Sequence, residues 1–240
     1  MENPTVKLTL DRETLSGLAN FLNAATNEVI FVIGKNGIDI NFQVMGGLNA
    51  ATINIPRKAI KELAGEMRMS LDTGQLNTAV SAFDGKEIIL AVEAGARLYL
   101  FDGKQENYID LLGEESKAAF TGVRPLPAKF TINADELLKA ARGLDKMKVT
   151  VLRIAFDGSN KQFQIIGERT TSGFKRLLTV KDGKGEAGKA AFQTKFISDM
   201  LAGASGEIGV EIGNNMPIKF IFILGAANIQ SFISPWIDGD

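Results

Sequence analysis

Apolar and polar residues alternate through Val6-Lys7-Leu8-Thr9-Leu10, the pattern of a strand with one buried face. Asp11 follows, a residue type that caps helices, and Leu15, Leu18, Ala19 and Leu22 then recur at helical spacing. A strand is therefore predicted to feed an amphipathic helix. Val29 to Ile33 and Ile38 to Phe42 flank the turn Lys35-Asn36-Gly37 and predict a hairpin, with Ala50 to Ile55 as a third strand. The whole reads as a βαβββ unit. A second unit follows in the same order: a strand from Arg68 to Leu71, the cap Asp72, a helix from Leu76 to Phe83 ending at Asp84-Gly85, and strands Ile88 to Val92, Arg97 to Phe101 and Tyr108 to Leu112. Asp102-Gly103 marks the last turn.

The second half of the chain repeats the first at an offset of 121 residues. Gly37 and Gly158 are that far apart (158 − 37), as are Phe42 and Phe163, Leu76 and Ile197, Val80 and Leu201, Gly85 and Gly206, Phe101 and Phe222, and Leu112 and Ile233. The first helix slips by one, pairing Leu15 with Leu137 and Leu22 with Leu144, on a predicted helix from Asp135 to Met147. Self-similarity at a fixed period signals duplicated structure. Between the halves, Gly113 to Pro127 holds two prolines, two glycines and clustered charge, the composition of a linker. Its apolar Ala118, Ala119, Phe120 and Val123 predict that it lies against the body of the protein. The expected fold is α+β: two similar domains, 1–112 and 128–240, each a pair of βαβββ units, joined by the linker 113–127.

Composition narrows the chemistry. A chain of 240 residues, 45% hydrophobic and 23% charged, is globular and long enough for one large or two medium cores. It has no cysteine, which removes disulfides and thiolate metal sites, and no amino-terminal basic-apolar signal, so a cytoplasmic location is expected, and not secretion. It has no histidine, which removes the usual general base and the commonest metal ligand. No catalytic residue, metal site or cofactor is expected, and the chain reads as a non-enzyme. Gly183 to Gly188 satisfies G-x-G-x-x-G, but a short strand follows where a dinucleotide site needs a helix, so the run reads as a loop between strands. Glu114 and Glu115 read as solvated linker carboxylates. The formal net charge is −1, distributed as −5 over residues 1–120 (11 bases, 16 acids) and +4 over 121–240 (16 bases, 12 acids). The second half is the one suited to a polyanion.

The last stretch, Met216 to Ile237, predicts two paired strands, Ile218 to Leu224 and Ile229 to Ile233, around a turn at Gly225-Ala226-Ala227-Asn228. At Pro235 the chain must leave the sheet, because proline has no N–H to give a ladder. The sequence Met216-Pro217, an apolar strand, a glycine turn and then Phe232-Ile233-Ser234-Pro235 resembles the carboxy-terminal hairpin of DNA sliding clamps of the proliferating cell nuclear antigen (PCNA) type. Trp236 departs from that pattern, which has a basic residue there. Four βαβββ units in two equivalent domains resemble the same family over essentially the whole chain.

The resemblance implies a ring of three subunits, lined by helices and threaded by double-stranded DNA without sequence preference. Such a ring tethers DNA polymerase, clamp loader, flap nuclease and ligase through short peptide motifs. It implies no membrane partner. Arg12, Lys139, Arg142, Lys146 and Lys195 are the expected DNA-facing residues. Lys139, Arg142 and Lys146 also share one face by spacing alone. The other three helices carry few bases: Ser16, Gly17, Asn20 and Asn23 stand where the family often places lysines. The implied peptide groove comprises Val44, Met45, Leu48, Phe120, Val123, Pro217, Phe232, Ile233, Ser234 and Pro235. Ring closure by edge strands would use Glu106, Tyr108 and Asp110 against Lys175, Arg176 and Leu177, with Glu106 and Asp110 facing Lys175 and Arg176. A subunit of a heterotrimeric or checkpoint-type clamp is the alternative expectation.

Overall fold

The computed structural model describes residues 4–44, 48–93, 97–113, 120, 124–169 and 172–237. Met45, Val123, Glu114 and Glu115, together with Ala118 and Ala119 of the linker, lie outside the described residues. The chain forms two compact units: Met1–Gln43, Ala51–Phe120 and Ile223–Ile229 make the first, and Val44–Ala50, Thr121–Phe222 and Gln230–Asp240 the second.

The first half contains β1 (Val6–Asp11), α1 (Arg12–Ala25), β2 (Glu28–Gly34), β3 (Gly37–Gln43) and β4 (Asn49–Pro56). A 3-10 turn at Arg57–Ala59 leads to β5 (Leu63–Ala64), β6 (Met67–Asp72), α2 (Thr73–Ser81), β7 (Glu87–Val92), β8 (Arg97–Phe101) and β9 (Glu106–Asp110). The strands run in the orders β5-β1-β7-β8-β9 and β4-β3-β2-β6. Both expected caps form: Asp11 Oδ1 accepts the Thr14 N–H at 2.7 Å, and Asp72 Oδ1 accepts the Gln75 N–H at 2.7 Å. Capping fixes where a helix starts, so α2 begins at Thr73, directly after its cap and ahead of its first apolar anchor, Leu76. It ends before Phe83, because the N–H groups of Ala82 and Phe83 turn to the carbonyls three residues back, at 3.4 and 3.2 Å. Leu15, Leu18, Phe21 and Leu22 of α1 and Leu76 and Val80 of α2 are buried. The period-2 and period-3.6 patterns thus point to one core.

The second half contains β10 (Ala128–Asn133), α3 (Ala134–Lys146), β11 (Val151–Asp157), β12 (Gln162–Arg169), β13 (Ser172–Thr179) and β14 (Lys181–Lys184). β15 (Gly188–Gln193), α4 (Thr194–Asp199), β16 (Glu207–Ile212), β17 (Ile218–Leu224) and β18 (Ala227–Ile233) complete it. Its strand orders, β14-β10-β16-β17-β18 and β13-β12-β11-β15, repeat those of the first half element for element. Even the two-residue β5, invisible to periodicity, has its counterpart in β14.

The registers correct the fixed offset. Asp72 and Gln193 precede α2 and α4 at 121 positions (193 − 72), so Leu76 and Ile197 correspond as expected, as do Val80 and Leu201. Elsewhere the offset drifts. Leu10 pairs Ile88 and Ile132 pairs Ile208, which sets β1 against β10 at 122 (132 − 10) and β7 against β16 at 120 (208 − 88). Leu100 then matches Phe220, so Phe101 corresponds to Ile221 rather than Phe222. The carbonyls of Lys86 and Gly206 accept the N–H groups of Arg12 and Ala134, which makes Lys86, not Gly85, the counterpart of Gly206. The β2–β3 turn is the two residues between Gly34 and Gly37, whereas four residues separate Asp157 from Gln162, so Phe163 corresponds to Ile38 rather than Phe42. Length changes in surface turns cost little, which is why topology persists while register drifts.

Two further expectations shift. The last hairpin turns in two residues, Gly225-Ala226, with Ala227 and Asn228 already in β18; Gly225 has φ 55°, a left-handed conformation that glycine adopts without strain. Gly183 lies inside β14 and Gly188 opens β15, so the loop between the strands is confined to Gly185, Glu186 and Ala187.

Candidate functional site

The α3 helix is the most polarised element. Leu137, Leu138, Ala140, Ala141 and Leu144 are buried, while Lys139, Arg142 and Lys146 are all exposed on the opposite side. None of the three forms an ion pair among the described residues. The helix is anchored at its start: Asn133 Oδ1 accepts the Glu136 N–H at 3.1 Å, and Asp135 Oδ2 accepts the Gly206 N–H at 3.0 Å. Acids in the first turn and Lys146 in the last complement the helix dipole. The result is a row of three cations one helical turn apart on a capped and packed helix.

The remaining expected cations are differently placed. Lys195 is tied to Asp199 at 2.6 Å along α4, which reduces its use to an external anion. Arg12 is half-buried at the start of α1, and its Nε is buried without a hydrogen-bond partner. Beyond the exposed acid Glu13 at the start of α1, the outward residues of α1 and α2 are neutral: Asn20 and Asn23, then Gln75, Thr78 and Ser81. The Thr78 and Ser81 hydroxyls donate to the carbonyls of Gly74 and Asn77 at 2.9 and 2.7 Å. These faces are polar and carry no exposed cation.

Around the last hairpin, the Ser234 N–H donates to the Leu48 carbonyl at 2.7 Å, which brings together two expected groove residues. Leu48 is exposed, Val44, Pro217, Ser234 and Pro235 are half-buried, and Phe232 and Ile233 are buried. Phe120 is half-buried and belongs to the other compact unit. Beyond Pro235 the Trp236 backbone N–H donates to the Ala191 carbonyl at 2.7 Å, and the residue is 42% exposed. A row of charge that sequence reasoning missed crosses this sheet. Lys129 pairs Glu211, which pairs Lys219 in register; Glu211 sits 3.1 Å from Lys129 Nζ and 3.8 Å from Lys219 Nζ. Lys219 Nζ lies 5.7 Å from the Phe232 ring centroid. The partners of Lys219 follow only from the register.

β9 and β13 each lie at the end of a sheet, with one side unpaired. Glu106, Tyr108 and Asp110 alternate outward on β9, and Lys175 and Leu177 outward on β13. Tyr108 is 57% and Leu177 54% exposed, unusual for such large apolar groups. The expectation for the charges is altered within the chain itself: Asp110 accepts a hydrogen bond from Arg97 Nε at 2.8 Å, and Arg176 points inward, 3.9 Å from Glu136. Beside β9 a groove of about 600 Å³ opens against α2, lined by Gln75, Thr78, Ala79, Ala82, Asn107 and Tyr108. Among the described residues no group of acidic side chains has metal-ligand geometry, and no helix is long and apolar enough to cross a membrane.

No protein-family model matches the chain. A DNA polymerase sliding clamp of Methanococcoides burtonii is 24% identical over 246 residues, covering 98% of this chain and 99% of that protein. Among solved structures, PCNA of A. fulgidus bound to the C-terminal region of FEN-1 superposes with a TM-score of 0.87 at 17% identity, over 98% of this chain and 100% of that one. PCNA of Entamoeba histolytica gives 0.89 at 13% identity, over 98% and 100%. PCNA of Thermococcus kodakaraensis gives 0.86 at 15%, over 97% and 100%. The fold of this chain is the clamp fold seen in those structures, from end to end.

Proposed function

We infer that this chain is a DNA sliding clamp of the PCNA family, a non-enzymatic processivity factor that closes into a ring of three around duplex DNA and tethers replication and repair enzymes to it. The observation that carries this reading is the whole-length agreement, in sequence with a curated sliding clamp and in fold with PCNA. Domains 1–112 and 128–240 are the two ring segments, with 113–127 the connecting linker.

A ring that slides must attract phosphates without reading base edges, since base-specific hydrogen bonds would hold it at one sequence. Lys139, Arg142 and Lys146 suit that role, being exposed, rigidly mounted and long enough to meet phosphates from a helix lying across the duplex. Arg12 and Lys195 are secondary contributors. The lack of exposed cations on α1 and α2 weakens the grip further, which favours diffusion along DNA over residence at one place. The same sparseness supports a second reading, a subunit of a mixed ring whose partners carry more charge.

Clients dock by a short peptide whose apolar anchors fill a pocket at Val44, Leu48, Pro217 and Phe232 to Pro235, the mode of an extended peptide beside a sheet. The FEN-1 complex of the A. fulgidus relative supports this; polymerase, clamp loader and ligase are the further clients. Subunits close the ring by pairing β9 of one copy with β13 of the next, with Glu106 and Tyr108 on one edge against Lys175 and Leu177 on the other, while Asp110 and Arg176 of the same strands are engaged within the chain by Arg97 and Glu136. A DNA-associated protein with this role resides in the cytoplasm or nucleoid, or in a nucleus.

The test is topological. Subunits dissociated by dilution and then concentrated in the presence of nicked circular plasmid should co-elute with it through gel filtration, and cutting the plasmid once should release them. Co-elution indifferent to the cut would mean ordinary surface binding and would overturn the encircling role.

A further inference from the structure

An exposed tyrosine on an unpaired strand edge ordinarily samples several rotamers. Tyr108 does not stand alone: the Arg97 guanidinium carbon lies 4.6 Å from its ring centroid, and the Tyr99 ring flanks it at 6.4 Å. The same guanidinium donates through Nε to Asp110 Oδ1 at 2.8 Å. The registers explain the convergence. Arg97 is directly opposite Asp110 and Tyr99 directly opposite Tyr108, so all four side chains stand on one face of β8 and β9. The planar guanidinium uses its face for the ring and its edge for the carboxylate, a double role that lysine cannot fill. Hydrogen bond and charge from Asp110 also raise the pKa of Arg97, so the cation is permanent.

The geometry points to Arg97 as a positioning residue for self-association. It fixes the Tyr108 ring and the Asp110 carboxylate at the free edge of β9, so that Leu177 of a second copy packs on that ring when the copy's β13 pairs with β9. The occupant follows from the chain's own edges. β13 is also unpaired on one side, and its outward residues Lys175 and Leu177 alternate as Tyr108 and Asp110 do. Arg and Tyr anchors held before contact lose little freedom on binding, the property of interface hot spots. Because Asp110 is already compensated by Arg97, its role is to hold the guanidinium rather than to attract Lys175 or Arg176 of the neighbour. This inference rests on the ring-forming reading and adds the residue that sets one side of the contact.

The experiment is a dilution series of the full chain by sedimentation velocity, comparing wild type with Arg97→Ala, Arg97→Lys, Tyr108→Ala and the double variant Arg97→Ala/Tyr108→Ala. Arg97→Ala is expected to move the concentration at which the ring dissociates upward by about tenfold, with Arg97→Lys between it and wild type. In the Tyr108→Ala background the arginine substitution should add less than about twofold, because the ring it positions is gone. An unchanged dissociation point for Arg97→Ala, or an equal loss with and without Tyr108, would overturn the positioning role while leaving the ring intact. A wild-type chain that is monomeric at every concentration would overturn closure of a ring from this chain alone, and the role of Arg97 in self-association with it.

Discussion

The hydroxyl of Thr14 accepts a hydrogen bond from the backbone N–H of Ala226 at 2.8 Å, joining the first turn of α1 to the tip of a hairpin 212 residues later. Thr14 is fully buried and its hydroxyl is used twice, since it also donates to Asp11 Oδ2 at 2.6 Å. Next to it, a Cβ on Gly225 would meet Thr14 Oγ1 at 2.3 Å and Thr14 Cα at 2.7 Å. The Asp11 cap, the helix start and the hairpin turn are therefore one interlocked feature of the first compact unit.

Gly225→Ala should destabilise the chain by about 2–3 kcal/mol, because it combines a left-handed backbone with a clash against a buried helix. Thr14→Val, which keeps the volume but orphans the Ala226 N–H, should cost about 1–3 kcal/mol, and Thr14→Ser much less. For a chain of this size each kcal/mol lowers the thermal midpoint by about 2–4 °C. Equal midpoints for Thr14→Val and wild type would show that the hydrogen bond contributes nothing net.

On α3, Lys139→Ala with Arg142→Ala removes two of three cations from a solvent face and should leave folding unchanged. DNA association measured against salt should weaken, with the slope of log K on log salt becoming shallower by about 2 for each subunit touching phosphate. Removing Lys195, already engaged by Asp199, should change that slope far less. Identical slopes for the α3 variant and wild type would place DNA elsewhere.

For the groove, the discriminating pair is Pro235→Ala and Phe232→Ala. Pro235 is half-buried, so its truncation should weaken a peptide copying the C-terminal region of FEN-1 without lowering the thermal midpoint. Phe232 is buried beneath Lys219, so its truncation should weaken the peptide and also cost about 3–5 kcal/mol of stability. Isothermal titration alongside thermal melts separates the two effects. Full peptide affinity in both variants would move the pocket away from this ending.

A fourth prediction concerns pH. The Asp102 carboxylate accepts backbone N–H bonds from Lys104, Gln105 and Gly85, at 2.9, 3.1 and 3.3 Å, and these hold its pKa below the usual 3.8. A depressed carboxylate stabilises the fold above its unfolded pKa, and that stabilisation is lost as pH falls through the lower folded value. Between pH 7 and 5 the turn should be insensitive to pH; below about 4 it should loosen, together with the β8–β9 hairpin that carries Tyr108. Carboxyl carbon NMR titration of Asp102 checks this, and a midpoint at or above 3.8 would contradict it.

Much of the fold was legible because periodicity and capping report the same thing. Asp11 and Asp72 each mark a helix start, and the last hairpin's first strand, Ile218 to Leu224, has the bounds its alternation predicts. The slip at the first helix was legible, but the further drift was not, since turn lengths between Gly34 and Gly37 and between Asp157 and Gln162 are set by loops that bear no pattern. For the site, the face of α3 followed from spacing alone, and its three cations are indeed exposed. Cross-strand partners did not: Arg97 beside Asp110, and Glu211 between Lys129 and Lys219, depend on registers that join residues 13, 82 and 8 positions apart (110 − 97, 211 − 129, 219 − 211).

A ring built from three copies of this chain is tested most directly by the solution mass of the purified protein from light scattering across a dilution series. The mass should reach a plateau at three times 25.8 kDa at high concentration and fall on dilution as edge-to-edge contacts come apart. A mass of 25.8 kDa at every concentration, or a plateau at twice that value, would contradict a homotrimeric ring.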